Sequence, residues 1–286
     1  GLSNTAIESD TVQGLLERFA GIDSRRQLPT LADETLVEWA KGRPTPNPDA
    51  DREAVLYPDL YTNYFSPERG KAAVRVLEAL GVAVRVPAVP ESGRAPLSQG
   101  MIDTADEKAS AVYAALAEHL DADRDIVVVE PSDLAMFRTE YERLLPERSY
   151  SRLSDGSYEL FEYVYGLLEN GAEIDALPTA VSEEITYHSH CQQRTLGLDA
   201  YTTEVLDRAG YDVSTTDIEC CGMAGSFGYK SEYYELSMDV GSRLDEQLPD
   251  SGPVVASGTS CGEQIAALTA DDAPHPIQLL DPRQSR

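Results

Sequence analysis

The chain has 286 residues, 50 of them acidic against 23 basic, for a formal net charge of -27. That length holds one large domain or two of ordinary size, each able to bury a substantial core. So anionic a surface repels nucleic acid and anionic membranes, and because the charge is spread along the chain it reads as a solvated surface adapted to high salt. No apolar run approaches the roughly 18 residues of a membrane span, and no charged-then-apolar leader opens the sequence. The expected location is therefore the cytoplasm, with thiols reduced or metal-bound. The sequence begins Gly1-Leu2-Ser3 without a methionine, which reads as excision from something longer, with partners on the N-terminal side.

In chain order, residues 1–50 predict a short helical lead-in, with amphipathic helices over Thr11–Ala20 and Leu31–Trp39. Pro44, Pro46 and Pro48 then mark a linker. From Ala54 the pattern becomes strand, helix, strand. Val55-Leu56-Tyr57 is a short apolar run, and Ser66-Pro67 supplies an N-cap and a first-turn proline. Val74, Leu77 and Leu80 then share a helix face that Gly81 ends. Strands follow at Val82–Val86 and Ile126–Val129, with a helix over Ile102–His119 between them. Strands alternating with helices predict an α/β fold with a parallel, doubly wound sheet.

The same order recurs further on. Val76-Leu77-Glu78-Ala79-Leu80-Gly81 matches Val205-Leu206-Asp207-Arg208-Ala209-Gly210 at a shift of 129, Ser92-Gly93 matches Cys221-Gly222 at 129, and Ser132-Asp133 matches Ser260-Cys261 at 128. Three anchors at nearly one offset indicate an internal duplication. The expected organisation is two tandem doubly wound α/β repeats, 54–149 and 181–286. Between them lies a connecting segment, 150–180, read as a helix over Tyr150–Asn170 from the spacing of Tyr158, Phe161, Val164 and Leu167. In the first copy Tyr61, Glu91, Ser92 and Asp133 stand where the second has Cys191, Cys220, Cys221 and Cys261, so the second copy is expected to carry the chemistry.

Those four are the only cysteines in the chain. Each follows a predicted strand: Glu184–Tyr187, Asp212–Ile218 for the adjacent pair, and Val254–Ala256. In a doubly wound sheet the carboxyl ends of the strands form one rim, so thiols distant in sequence converge there. Adjacent Cys220 and Cys221 can reach one centre only where the backbone bends, which Gly222 permits. Four thiolates suit an iron–sulfur cluster or a tetrahedral zinc, although the closely spaced Cys-x2-Cys pairs of structural zinc sites are absent. A redox disulfide or buried thiols are the remaining readings.

Cys220-Cys221-Gly222, with an upstream Cys191 and a downstream Ser260-Cys261, resembles the cysteine-rich "CCG" domain. That domain occurs as a tandem pair in the B subunit of heterodisulfide reductase, in the C subunit of glycerol-3-phosphate dehydrogenase and in lactate-utilisation proteins. The pattern is most similar to the C-terminal part of FAD-linked oxidases of the D-lactate dehydrogenase type. There Tyr57-Pro58-Asp59, Asn63-Tyr64-Phe65, Glu130-Pro131-Ser132, Cys220 to Tyr229, Gly258-Thr259-Ser260-Cys261 and His275-Pro276 recur in order. The resemblance implies a single [4Fe–4S] cluster on Cys191, Cys220, Cys221 and Cys261, relaying electrons from an FAD held in a part outside this sequence. It implies oxidation of a 2-hydroxy acid such as D-lactate, FAD-binding and ferredoxin-like partner domains in the same or another chain, and an acceptor such as a quinone or cytochrome. Peripheral attachment at the cytoplasmic membrane face is an alternative to a purely cytoplasmic location. Two departures stand out: the first repeat lacks the cysteines that members often carry, and Gly262-Glu263-Gln264 after Cys261 replaces the final Cys-x-x-Cys of the heterodisulfide reductase sequences. A heterodisulfide-reductase-like thiol/disulfide site and a zinc-stabilised interaction module stay open beside this reading.

Around the thiols, His188 and His190 flank Ser189 just before Cys191 and either tune the ligand set as polar neighbours, the favoured reading, or ligate metal themselves; Ser260 beside Cys261 is also read as a polar neighbour. Gly222, Gly225 and Gly228 form a close-packed loop rather than a phosphate cradle. Lys230, one of four lysines, either balances thiolate charge or is merely exposed, and His275 before Pro276 is read as structural.

Overall fold

The computed structural model describes residues 17–283 apart from residue 19. The helix expected over Thr11–Ala20 lies almost wholly outside the described residues. Of the second lead-in helix only Leu36–Lys41 (α1) forms, because Thr35 and Glu38 close a reciprocal capping box that fixes its start.

The first half runs β1 (Glu53–Tyr57), α2 (Leu60–Tyr64), α3 (Pro67–Ala79), β2 (Ala83–Arg85), α4 (Arg94–Ser98), α5 (Ile102–Asp121), β3 (Asp125–Val128), α6 (Pro131–Arg138), α7 (Glu147–Asp155) and β4 (Ser157–Glu159). Its four strands are all parallel, in the order β2-β1-β3-β4. After α8 (Leu160–Glu169) the chain continues with β5 (Glu183–His188), α9 (Cys191–Thr195), α10 (Asp199–Arg208), β6 (Tyr211–Thr215), α11 (Tyr234–Asp245), β7 (Val254–Ala256) and α12 (Thr259–Thr269). These three strands are parallel in the order β6-β5-β7.

Both sheets thus place their first strand in the middle, with the second and third on either side. The backbone repeats at the shared offset too: Gly81 and Gly210 have φ of 86° and 87°, Gly93 and Gly222 of 82° and 91°. Asp133 and Cys261 each occupy the third position of the helix that follows the third strand.

One reading is corrected. Tyr150–Asn170 is not a continuous helix, because α7 stops at Gly156 and Ser157-Tyr158-Glu159 then pairs with Ile126–Val128 of β3 as a fourth strand. Glu159 restarts the chain as α8 by accepting hydrogen bonds from the Phe161 and Glu162 amides. Ser66 is a smaller correction: it sits at the N-cap of α3 but makes no capping hydrogen bond with its side chain.

Strand side chains alternate between two cores. Val55, Tyr57, Ile126 and Val128 face Val112 and Leu116 of α5 and Phe137 of α6. Ala54, Leu56 and Val127 face a second core that runs on through Phe161 and Val164 of α8 to Tyr187, Val205 and Val255 of the second half. One hydrophobic cluster therefore spans both sheets and fixes their relative position.

Candidate metal centre

The thiols all follow strand ends. Cys191 is the first residue of α9 after β5, Cys220 and Cys221 lie in the turn after β6, and Cys261 is in the first turn of α12 after β7. All four are free thiols. At Gly222 the chain reverses with φ 91°, and a Cβ there would collide with the Ser237 carbonyl oxygen of α11. That close approach seats Cys221 inward, where it is buried, while Cys220 stays exposed. Gly258 serves a parallel purpose before α12: a side chain there would overlap the His190 ring.

At the centre, the sulfurs of Cys221 and Cys261 and a ring nitrogen of His188 all lie within 4.8 Å of one another, and all three residues are buried. His188 Nδ1 lies 2.6 Å from Thr216 Oγ1, which orients the ring and leaves Nε2 to the thiols. Cys261 hydrogen-bonds to Cys221 and, with His188 and the Met223 amide, holds the Cys221 thiol down to about 4, so a thiolate is stable there. When protonated, Cys221 can donate to the Ser260 carbonyl oxygen 3.8 Å away. Burial pushes the Cys191 thiol up, and the charges of Cys220 and Cys221 push it further, which puts these two sulfurs within electrostatic reach of Cys191. The structure thus gathers two of the four expected thiols with His188 and sets Cys191 and Cys220 beside them, outside the tight group.

The remaining sequence-derived candidates divide. His190 is buried; its Nδ1 accepts from the Gln192 amide 3.1 Å away, capping α9, and its Nε2 lies 3.9 Å from Glu130 Oε1. Lys230 donates to Gln99 Oε1 at 3.3 Å and lies over the Tyr233 ring. His275 is buried, accepts from the Ile277 amide and stacks on Phe161.

A cavity of about 490 Å³ opens beside Cys191, lined by Tyr61, Ser92, Glu130, Asp133 and Ser226 among others. The first half's counterparts of the ligand positions, Tyr61, Glu91, Ser92 and Asp133, therefore share this cavity with Cys191. Ser92 and Asp133 hydrogen-bond to each other, and the Tyr141 hydroxyl donates to the Ser92 carbonyl. Burial, then the nearby Asp59 carboxylate, pushes Asp133 well above the usual carboxylate range.

Two further residues shape the centre. Glu130, the residue just before α6, accepts from the Thr259 amide and hydroxyl at 3.0 and 2.8 Å, tying the first half to the helix that carries Cys261. Burial alone would raise its carboxyl, but His190, Arg69 and the two Thr259 bonds outweigh it and hold Glu130 below its ordinary value. Arg26, buried at 3% exposure, donates to Gly228 O, Gln264 Oε1 and Ser237 Oγ, each at 2.8 Å. The Glu130-Pro131-Ser132 triplet was a sequence signal for the first; partners more than 200 residues away left none for the second.

Two soft sulfurs and an imidazole in a buried pocket, with two more thiols at its edge, form a donor set for a thiophilic metal rather than for a hard cation. The chain is 28% identical over 283 residues to the C subunit of the anaerobic glycerol-3-phosphate dehydrogenase of Escherichia coli K12, covering 97% of this chain and 70% of that protein. Against the D-2-hydroxyglutarate dehydrogenase of the same organism, 24% identity extends over 235 residues, 80% of this chain and 22% of the other. Lactate utilization protein A of Geobacillus kaustophilus is 26% identical over 185 residues, 61% of this chain and 74% of the relative. These redox proteins are homologues of the chain. No family model matches it. Among the described residues no helix is long and apolar enough to cross a membrane.

Proposed function

We propose that the chain is the iron–sulfur electron-transfer part of a larger oxidoreductase, with two tandem repeats over 54–149 and 181–286 and the metal in the second. The observation that carries this is the buried meeting of Cys221 and Cys261 at strand ends, with Cys191 and Cys220 at its edge. Homology to dehydrogenase parts favours a redox use of those thiols over a purely structural one. A cluster held there would supply one-electron transfer. In this reading the protein's own residues fix the thiols, screen them from water and hold Cys221 as thiolate. The electrons come from an FAD outside this sequence that oxidises a 2-hydroxy acid. The D-2-hydroxyglutarate dehydrogenase relative, of which this chain matches only 22%, supports that substrate class and leaves room for a flavin domain. A quinone or cytochrome then takes the electrons onward.

A second reading has its own observation: His188, rather than Cys191 or Cys220, completes the tight group, and two Cys with one His are zinc donors. Anaerobic reconstitution with iron and sulfide decides between them. The expected result is iron and sulfide bound with broad visible absorption, lost in Cys261→Ser and kept in Asp133→Ser. Colourless protein carrying stoichiometric zinc overturns the electron-transfer reading. Equal iron loss in both variants would move a metal into the first repeat.

A further inference from the structure

We infer that Arg26 is the built-in counter-charge of the thiol site, delivered by the segment that precedes the first half. This rests on the reading of that site as an iron–sulfur centre.

Residues 21–26 of the lead-in cross to the second half, whereas α1 packs on the first, its Val37 amide donating to Asn63. Ile22 forms an antiparallel bridge with Lys230, the Asp23 amide donates to Tyr229 O at 2.7 Å, and the Ser231 amide donates to Gly21 O at 2.8 Å. Residues 21–26 are thereby laid along the end of the glycine loop that begins at Gly222. From there Arg26 reaches inward and bonds three elements at once: the loop itself at Gly228, α12 at Gln264, and α11 at Ser237. Each leads to a thiol. Gln264 is one helical turn from Cys261 on α12 and donates in turn to Ser237 O at 3.0 Å. Ser237 O is the atom against which Gly222 packs to seat Cys221.

All three acceptors are neutral, which is unusual for a buried guanidinium, since an ion removed from water needs an opposite charge as well as hydrogen bonds. The carboxylates in range are engaged elsewhere. Asp23 pairs with Arg25 at 2.9 Å. Glu263 lies within electrostatic reach of Arg26 and hydrogen-bonds to Tyr229. Cys221 is among the groups whose negative charge reaches Arg26, after the Tyr234 and Tyr229 hydroxyls and Asp23. A thiolate bound to metal there is a permanent anion, and the whole centre gains a further negative charge on reduction. A fixed cation in a low-dielectric surround favours the reduced form and raises the midpoint potential.

The test uses the full chain reconstituted anaerobically with iron and sulfide, with iron content measured beside the midpoint potential in a titration followed by visible absorption. Arg26→Gln removes the charge, Arg26→Lys keeps the charge and loses the three-way fork, and Gln264→Glu keeps Arg26 but neutralises it in place. The expected outcome is iron retained and a potential lowered by about 59 mV or more, tenfold for one electron, in Arg26→Gln and Gln264→Glu. Arg26→Lys stays close to the parent. If Arg26→Gln fails to hold iron, Gln264→Glu carries the comparison. Unchanged potentials with iron bound, or an equal fall in Arg26→Lys, overturn the counter-charge while leaving the electron-transfer reading intact. A parent protein that binds no iron removes both.

Discussion

Gly222 shows how much of the centre depends on one backbone conformation. Its φ of 91° lies where side chains are strained, and a Cβ would also meet the Ser237 carbonyl, so Gly222→Ala adds strain and overlap at a residue joined directly to Cys221. Gly93, its counterpart at the shared offset, has φ 82°, and its added Cβ would come within 3.0 Å of Lys108 Cβ. Both alanine variants are therefore expected to lose stability, by about 1–3 kcal/mol each. Only Gly222→Ala should also lose bound iron. Denaturant melts beside iron analysis check this, and iron lost equally in Gly93→Ala would mean that the first half's loop supports the metal as well. His188 marks the limit of residue-level reading. The sequence placed it beside the ligands because it precedes Cys191, yet it is the last residue of β5 and its ring turns across to Thr216 and Cys221, a direction set by strand pairing rather than by its neighbours.

At the scale of elements, the join between β4 and α8 carries the clearest pH dependence. Glu159 is fully buried, accepts the Phe161 and Glu162 amides at 2.7 and 3.0 Å, and leaves its other oxygen without a partner. Burial pushes its carboxyl up to about 8. A carboxyl raised on folding holds its proton more tightly in the native state, so its stabilisation is complete below the unfolded value of about 4.3 and is lost as pH rises through the folded value. Glu159→Gln keeps the capping oxygen and removes the titration. The variant's Tm should fall less than the parent's between pH 5 and pH 9, by the equivalent of a few kcal/mol at most. Parallel Tm curves would show that Glu159 does not hold its proton. The same join shows why part of the fold escaped the sequence. Tyr158, Phe161, Val164 and Leu167 fall at helical spacing, and a three-residue strand, Ser157–Glu159, has too little alternation to stand out against it; the edge of β3 recruits it. The longer apolar strands β1 and β3 and the helix α5 were legible, because burial on both sheet faces, or along one helix face, writes a continuous pattern. That each thiol follows a strand was legible for the same reason. The strand of lead-in backbone against Lys230 was not, since nothing local to Ile22 encodes a partner in the other half.

For the whole molecule, the two sheets share one hydrophobic cluster and one polar clamp, Glu130 with Arg69 and Thr259, so the halves should melt together. What opposes that unit is its own charge. A net -27 places many carboxylates within a Debye length of one another at low ionic strength, and their repulsion favours the expanded chain. Raising salt from about 0.1 M to 1 M shortens that length from about 10 Å to about 3 Å, removing most of the repulsion between exposed groups. The Tm is therefore expected to climb steadily with potassium chloride at pH 7, in a single transition. An internal control comes from acid: near the sequence pI of about 4.3 the net charge vanishes, and the salt increment should shrink toward zero if repulsion is its cause. A Tm that rises equally with salt at both pH values would assign the effect to general salting-out of apolar surface instead. A Tm independent of salt at pH 7 would mean that the acidic surface does not limit stability, and the high-salt reading of the composition would fall.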